Sequence, residues 1–197
     1  MARASEPERA VVLREFASRG WPAEEATAAI QIESAWDPSS HNRIRAGGLV
    51  GFLPSVLPKL GWTRGPEAFW QLSATEQAPY IGKYLDLTGK RWGQRGDTYL
   101  LLAAPSFVNA SDSTVVYARG TKAWEQNPGW RPRGQPGADI TAGSIRATLF
   151  RSMERGVRPG PEKPTPRISI VPVLFGAWLL WRLTRSRARE RVRARQA

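Results

Sequence analysis

Over residues 8–19, ERAVVLREFASR, apolar positions recur at helical spacing and Gly20 follows as a stop, which predicts a first amphipathic helix. Pro22 then opens WPAEEATAAIQIESAW with two acidic residues in its first turn, where the helix dipole favours them. A helix is expected over 22–36, ending at the turn signal DPSS. A Gly-rich loop, RAGGLVG, leads into a short helix from Pro54 to Gly61, and GPEAFWQLS adds one more helical turn. Ser73 followed three residues later by Glu76 fits a capping box and opens a helix over 74–87. GDTYLLLAAPSFV reads as a buried helix that Pro105 cuts short. Residues 109–137 show little helical periodicity and several turn dipeptides, so a structured loop region is expected there. The amphipathic segment TAGSIRATLFRSMERG closes the domain.

The pattern then changes. GVRPGPEKPTPR has four prolines in twelve residues and no apolar face, the composition of a stiff, extended linker. ISIVPVLFGAWLLW follows, uncharged, and runs directly into an Arg-rich end. The organisation expected is a domain over 1–156, a Pro-rich linker over 157–167, a candidate transmembrane helix over 168–183 and an Arg-rich tail over 184–197. The fold class expected is all-α, α+β at most with a minor hairpin: a single domain plus a C-terminal apolar helix. This mostly apolar run of fourteen residues is shorter than the roughly 20 that span a bilayer comfortably, so a core or interfacial segment is the alternative. Membrane embedding is favoured by the position beyond the linker, by Arg167 and Arg182 at the ends, and by Trp178 and Trp181 at an interface.

Charge and composition narrow the chemistry. The chain carries a net charge of +12, and RLTRSRARERVRARQA alone holds seven Arg against one Glu, or +6. Such an excess suits a polyanionic partner: nucleic acid, acidic lipid or the anionic polymers of a bacterial wall. With no Cys and only His41, thiolate nucleophiles, Cys-based zinc sites and His-rich metal sites are excluded. Carboxylates and hydroxyls remain, and no metal or cofactor is expected. The N-terminus, MARASEPERAVVLREFASRG, shows no apolar export signal.

One carboxylate is out of place. Ala26, Ile30 and Glu33 are spaced by four and three residues and share one helix face, with Ala29 and Trp36 beside it. Burial raises a carboxyl pKa because the ionised form loses hydration, and a carboxylic acid still protonated near neutrality is what glycosidic-bond cleavage needs. A salt-bridged or peripheral Glu is the alternative.

IESAWDPSS followed by GGLVGFLPSVLPKLG resembles the signature of the lytic transglycosylase and goose-type lysozyme superfamily, in its phage virion-associated form. The shared features are a Glu-Ser pair at a helix end, an Asp-Pro turn, and a Gly-Leu segment leading into Pro-Ser and a helix. LSATEQAPYIGKYL, TYLLLAAPSFV and KAWEQNPGW add weaker agreement. Two departures stand out: Gly51 occupies the place of the family's Gln, and AAPSF lacks the family's Tyr-Asn block, for which Tyr99, Tyr117 or Asn109 are candidate substitutes.

The resemblance implies a lysozyme-like domain that cleaves the bond between MurNAc and GlcNAc in peptidoglycan, with Glu33 as general acid and base and without a second carboxylate. It implies substrate contacts from Ser34, Gly48, Leu49, Phe52, Trp36 and Tyr99. For Ser34 a bond to its own helix, for the Gly-Leu-Phe residues a turn or core role, and for Trp36 a place in the core are the alternatives. Should the reaction need a second carboxylate, Asp37, Asp97 and Asp112 are the candidates, and spacing marks none of them. The implied setting is membrane-anchored and virion-associated, acting on the periplasmic wall during genome delivery, with virion proteins as further partners and acidic lipid or DNA contacted by the tail. Two other classes stay open: an inactive lysozyme-like docking protein, and a membrane-anchored nucleic-acid binder.

Overall fold

Ser5 starts the first helix by donating both its N–H and its hydroxyl to Glu8, at 2.9 Å each. That bond places α1 over Glu6–Ala17, two residues ahead of the range the periodicity predicts, because Pro7 is tolerated in a first turn. The computed structural model describes residues 3–42 and 45–154. The expected linker 157–167, apolar helix 168–183 and Arg-rich tail 184–197 lie outside the described residues, among which no helix is long and apolar enough to cross a membrane.

Among the described residues six further helices follow: α2 over Ala23–Ser34, α3 over Pro66–Phe69, α4 over Ala74–Thr88, α5 over Asp97–Ala103, α6 over Lys122–Gln126 and α7 over Ala142–Glu154. The helix expected from Pro54 to Gly61 is a short 3-10 turn over Leu57–Leu60. α4 has the expected capping box, Ser73 N–H donating to Glu76 at 2.8 Å and Glu76 N–H returning to Ser73 Oγ at 3.3 Å. α2 stops two residues short of the expected range because Ala35 and Trp36 both turn left-handed, with φ of 52° and 63°.

The region expected as loop contains regular structure. Strand β1, Val115–Tyr117, pairs antiparallel with β2, Ile140–Thr141, and α6 and a 3-10 turn over Pro128–Trp130 lie between them. Strands of three and two residues are too short to show a period of two. The fold is therefore mostly helical with one small antiparallel sheet.

α2 is central: it packs on α1, α5 and α7, while α1 lies along α4. Ala26, Ala28 and Ala29 are buried on it, and their small side chains let three neighbouring helices close around one axis. Large aromatics fill the remainder, with Phe16, Trp21, Phe69, Tyr99 and Trp130 in the core.

One buried ion pair ties the last helix to the centre. Arg146 of α7 donates to Asp97 of α5 at 2.6 Å and 3.1 Å, with side chains 3% and 0% exposed. Asp97 also accepts from the Gln94 and Asn109 N–H groups, and Arg146 from its other end donates to the Ala110 carbonyl and to Asp112. Asp112 is by contrast 76% exposed. Removing one partner of a buried pair strands the other, whereas an exposed partner is replaced by water. Asp97→Ala is expected to lower the unfolding free energy by about 3–5 kcal/mol, and Asp112→Ala by less than about 1 kcal/mol. Urea titration of the two variants measures both; equal losses would contradict this account.

Candidate active site

Glu33 occupies the last turn of α2, and three elements converge on it. From the Gly-rich loop, Gly51 approaches so closely that a β-carbon there would lie 3.1 Å from Glu33 Oε2. From α5, the Tyr99 hydroxyl faces the carboxyl closely enough to act on it, lowering the Glu33 pKa while its own is raised. From α4, Tyr84 faces it closely enough for the two to interact electrostatically, its own hydroxyl donating to the Leu101 carbonyl at 3.0 Å. A small apolar hollow lined by Gly51, Phe52, Leu53, Val56, Tyr84 and Leu102 adjoins this group through Gly51 and Tyr84.

Glu33 keeps a part of its surface accessible, but protein closes round the carboxyl densely enough to push its pKa up to about 8. Desolvation is the cause, and the Tyr99 hydroxyl opposes it without cancelling it. The hydroxyls of Tyr99 and Tyr84 are themselves raised well above the ordinary tyrosine value, first by burial and then by the neighbouring Glu33 charge. The arrangement is a protonated carboxylic acid at neutral pH, bounded by two neutral phenols.

Gly51 stands at φ 67°, the left-handed region where a side chain is strained. Its missing side chain thus has two reasons, backbone and proximity to the acid. The loop behind it is fastened by Gln77, fully buried on α4. Gln77 Oε1 accepts from the Leu49 N–H at 2.9 Å, and its amide donates to the Pro38 carbonyl at 2.8 Å and the Leu72 carbonyl at 3.2 Å. Sequence reasoning missed Gln77, although a glutamine between Ala74, Ala78 and Ile81 on an apolar face is the same signal that marks Glu33.

Of the residues expected at the site, Glu33, Tyr99 and Phe52 come together. The other four do not. Ser34 is buried and its hydroxyl donates to the Ile30 carbonyl of its own helix at 3.3 Å. Trp36 is 1% exposed and held in the core, beneath the Arg9 guanidinium at 5.2 Å, so it offers no sugar platform. Gly48 packs against α4: a β-carbon there would lie 2.7 Å from Gln77 Oε1. Leu49 is fully buried with its N–H already on Gln77. Each takes the structural alternative that its residue type allows.

Comparison with family models, curated proteins and solved structures finds no match to this chain. The chemistry of the site therefore rests on its geometry. The three candidate second carboxylates are committed elsewhere: Asp37 accepts from Ser39 at 2.6 Å and 2.9 Å, and Asp97 and Asp112 hold Arg146. Among the described residues burial and Tyr99 are what shift the Glu33 carboxyl, no second carboxylate is among the causes, and no group of three or more His, Cys, Asp or Glu side chains is placed to hold a metal.

The raised pKa has a consequence for stability. The folded value of about 8 lies above the ordinary 4.5, so between the two the native state holds a proton that the unfolded chain has lost. Stability from this group is complete below the unfolded value and is lost as pH rises through about 8. Glu33→Gln cannot ionise, so it is expected to match the wild type at about pH 4 and exceed it by about 4–5 kcal/mol at about pH 9. Urea unfolding at the two pH values reads the difference, and an equal gain at both would mean that the carboxyl does not titrate in this way.

Proposed function

We propose that this chain is a peptidoglycan lytic transglycosylase with Glu33 as its general acid and base, on a lysozyme-like domain. The observation that carries the reading is the Glu33 carboxyl, its pKa pushed up to about 8 by burial, on a residue that keeps part of its surface accessible beside Gly51, with Tyr99 acting on it and, among the described residues, no second carboxylate doing so. A lone acid of this kind suits cleavage by internal attack rather than by a carboxylate nucleophile or a carboxylate-activated water.

In this mechanism Glu33 gives its proton to the glycosidic oxygen between MurNAc and GlcNAc as the bond to MurNAc C1 breaks. The GlcNAc side leaves as an alcohol. The Glu33 carboxylate, held by the Tyr99 hydroxyl, then takes the proton of the MurNAc 6-hydroxyl while that oxygen closes onto C1. The product is a 1,6-anhydro sugar, the acid is regenerated, and no metal or cofactor takes part. Gly51 suits this role because a side chain there would stand between the carboxyl and the glycan. The resemblance of residues 27–61 to the transglycosylase signature supports the same assignment, and the apolar segment 168–183 with its Arg-rich tail supports membrane anchoring in a virion that opens the wall.

A second reading is a docking module without activity. It is favoured by the commitment of Ser34, Trp36, Gly48 and Leu49 to the core and by the small size of the hollow beside Glu33. Digestion of purified peptidoglycan by the full chain, with mass spectrometry of the released sugars, separates the two. Anhydro-muropeptides are expected from the wild type, with release falling as pH rises through about 8, and at least roughly a hundredfold less from Glu33→Gln. Reducing-end sugars would indicate hydrolysis instead, and no product from the wild type would leave the docking module.

A further inference from the structure

Behind Tyr99 lies a residue that the chemistry at Glu33 does not itself require. Trp130 is fully buried on the 3-10 turn inside the β1–β2 connection. Its indole Nε1–H donates to the Tyr99 hydroxyl at 3.1 Å. Its ring meets the Tyr99 ring edge-on with centroids 6.3 Å apart, and it stacks on Tyr117 of β1 at 5.9 Å with 11° between planes. The indole is thus fixed on two sides, and its N–H has one direction available.

An indole nitrogen only donates, whereas a phenol both donates one proton and accepts. A tyrosine beside a carboxyl therefore has two arrangements. It gives its proton to the carboxylate, or it accepts the proton of the carboxylic acid. In the second arrangement the acid's proton is spent on the tyrosine and is turned away from a substrate. With the Trp130 N–H already on Tyr99 Oη, that oxygen is a weaker acceptor and its O–H a stronger donor, so the first arrangement is favoured over the second.

We propose that Trp130 is a positioning residue for Glu33: by donating to Tyr99 it holds Tyr99 as a donor, which leaves the Glu33 proton free for an oxygen in the cleft. The proposal rests on the reading of Glu33 as the acid. It also gives the β1–β2 connection a role, since Tyr117 and the 3-10 turn set the angle of the indole.

The test is NMR titration of the full chain with labelled Glu carboxyl carbons and Trp indole nitrogens. The titratable groups that act on Glu33 are Tyr99 from α5 and Tyr84 from α4, so its midpoint is read below the tyrosine range. In the wild type the Trp130 indole cross-peak is expected to move with pH at the same midpoint as the Glu33 carboxyl, and to lose that movement in Glu33→Gln. In Trp130→Phe, which keeps a ring on Tyr117 but no N–H, the Glu33 midpoint is expected to rise, in the direction of Tyr99→Phe and by less. Wall cleavage by Trp130→Phe is expected to fall roughly fivefold in kcat with KM unchanged. A wild-type Trp130 cross-peak that ignores the Glu33 transition overturns the proposal, and this needs no variant to fold. A folded Trp130→Phe with an unmoved Glu33 midpoint overturns it as well. Coupled titration in a chain that cleaves no wall supports the positioning role and overturns the transglycosylase reading alone.

Discussion

The apposition of α2 and α5 is the constraint on which the rest of the structure depends. Two carboxyls on α2, Glu25 and Glu33, reach the same short helix at different points. Glu25 takes the start of α5, accepting from the Gly96 N–H at 2.8 Å, the Thr98 hydroxyl at 2.8 Å and the Thr98 N–H at 3.3 Å. A buried carboxylate at a helix N-terminus is compensated by the free N–H groups and the positive end of the dipole. With α5 fastened there, three consecutive residues point to three places: Asp97 to Arg146 of α7, Thr98 to Glu25, and Tyr99 to Glu33.

The interior carboxyls differ in how many donors they meet. Glu25 has four, counting the Trp92 indole N–H. Asp97 has a guanidinium and two backbone N–H groups. Glu33 has one hydroxyl, which is too little to replace lost hydration, and so it keeps its proton. Its chemistry thus comes from an incomplete hydrogen-bond shell inside a fold that completes the others.

Much of this was legible in the chain. Helical spacing of apolar residues located α1, α2, α4 and α7 within about two residues, because each presents one face to a common core. Glu33 was legible because a charged residue stood where the pattern calls for an apolar one. By the same rule Glu25 and Gln77 lie on apolar faces, yet Glu25 in the sequence looks like an ordinary first-turn acid. The left-handed turn at Ala35 and Trp36, which swings Trp36 into the core, is not encoded by spacing. Gly48 and Leu49 are decided by Gln77, 28 residues beyond Leu49 in the chain, and local reading has no access to such a contact. Trp130 was hidden for a related reason: its neighbours are strands too short to carry a pattern, and its partner Tyr99 is 31 residues earlier.

α7 is the last described element, and Arg146 is its buried attachment to α5. Tension applied to the chain beyond Glu154 therefore enters the domain along α7 and, past the buried Leu149, reaches the ion pair with Asp97, two residues from Tyr99. A pull from any anchored C-terminal segment is mechanically in series with the helix that presents the phenol to the acid.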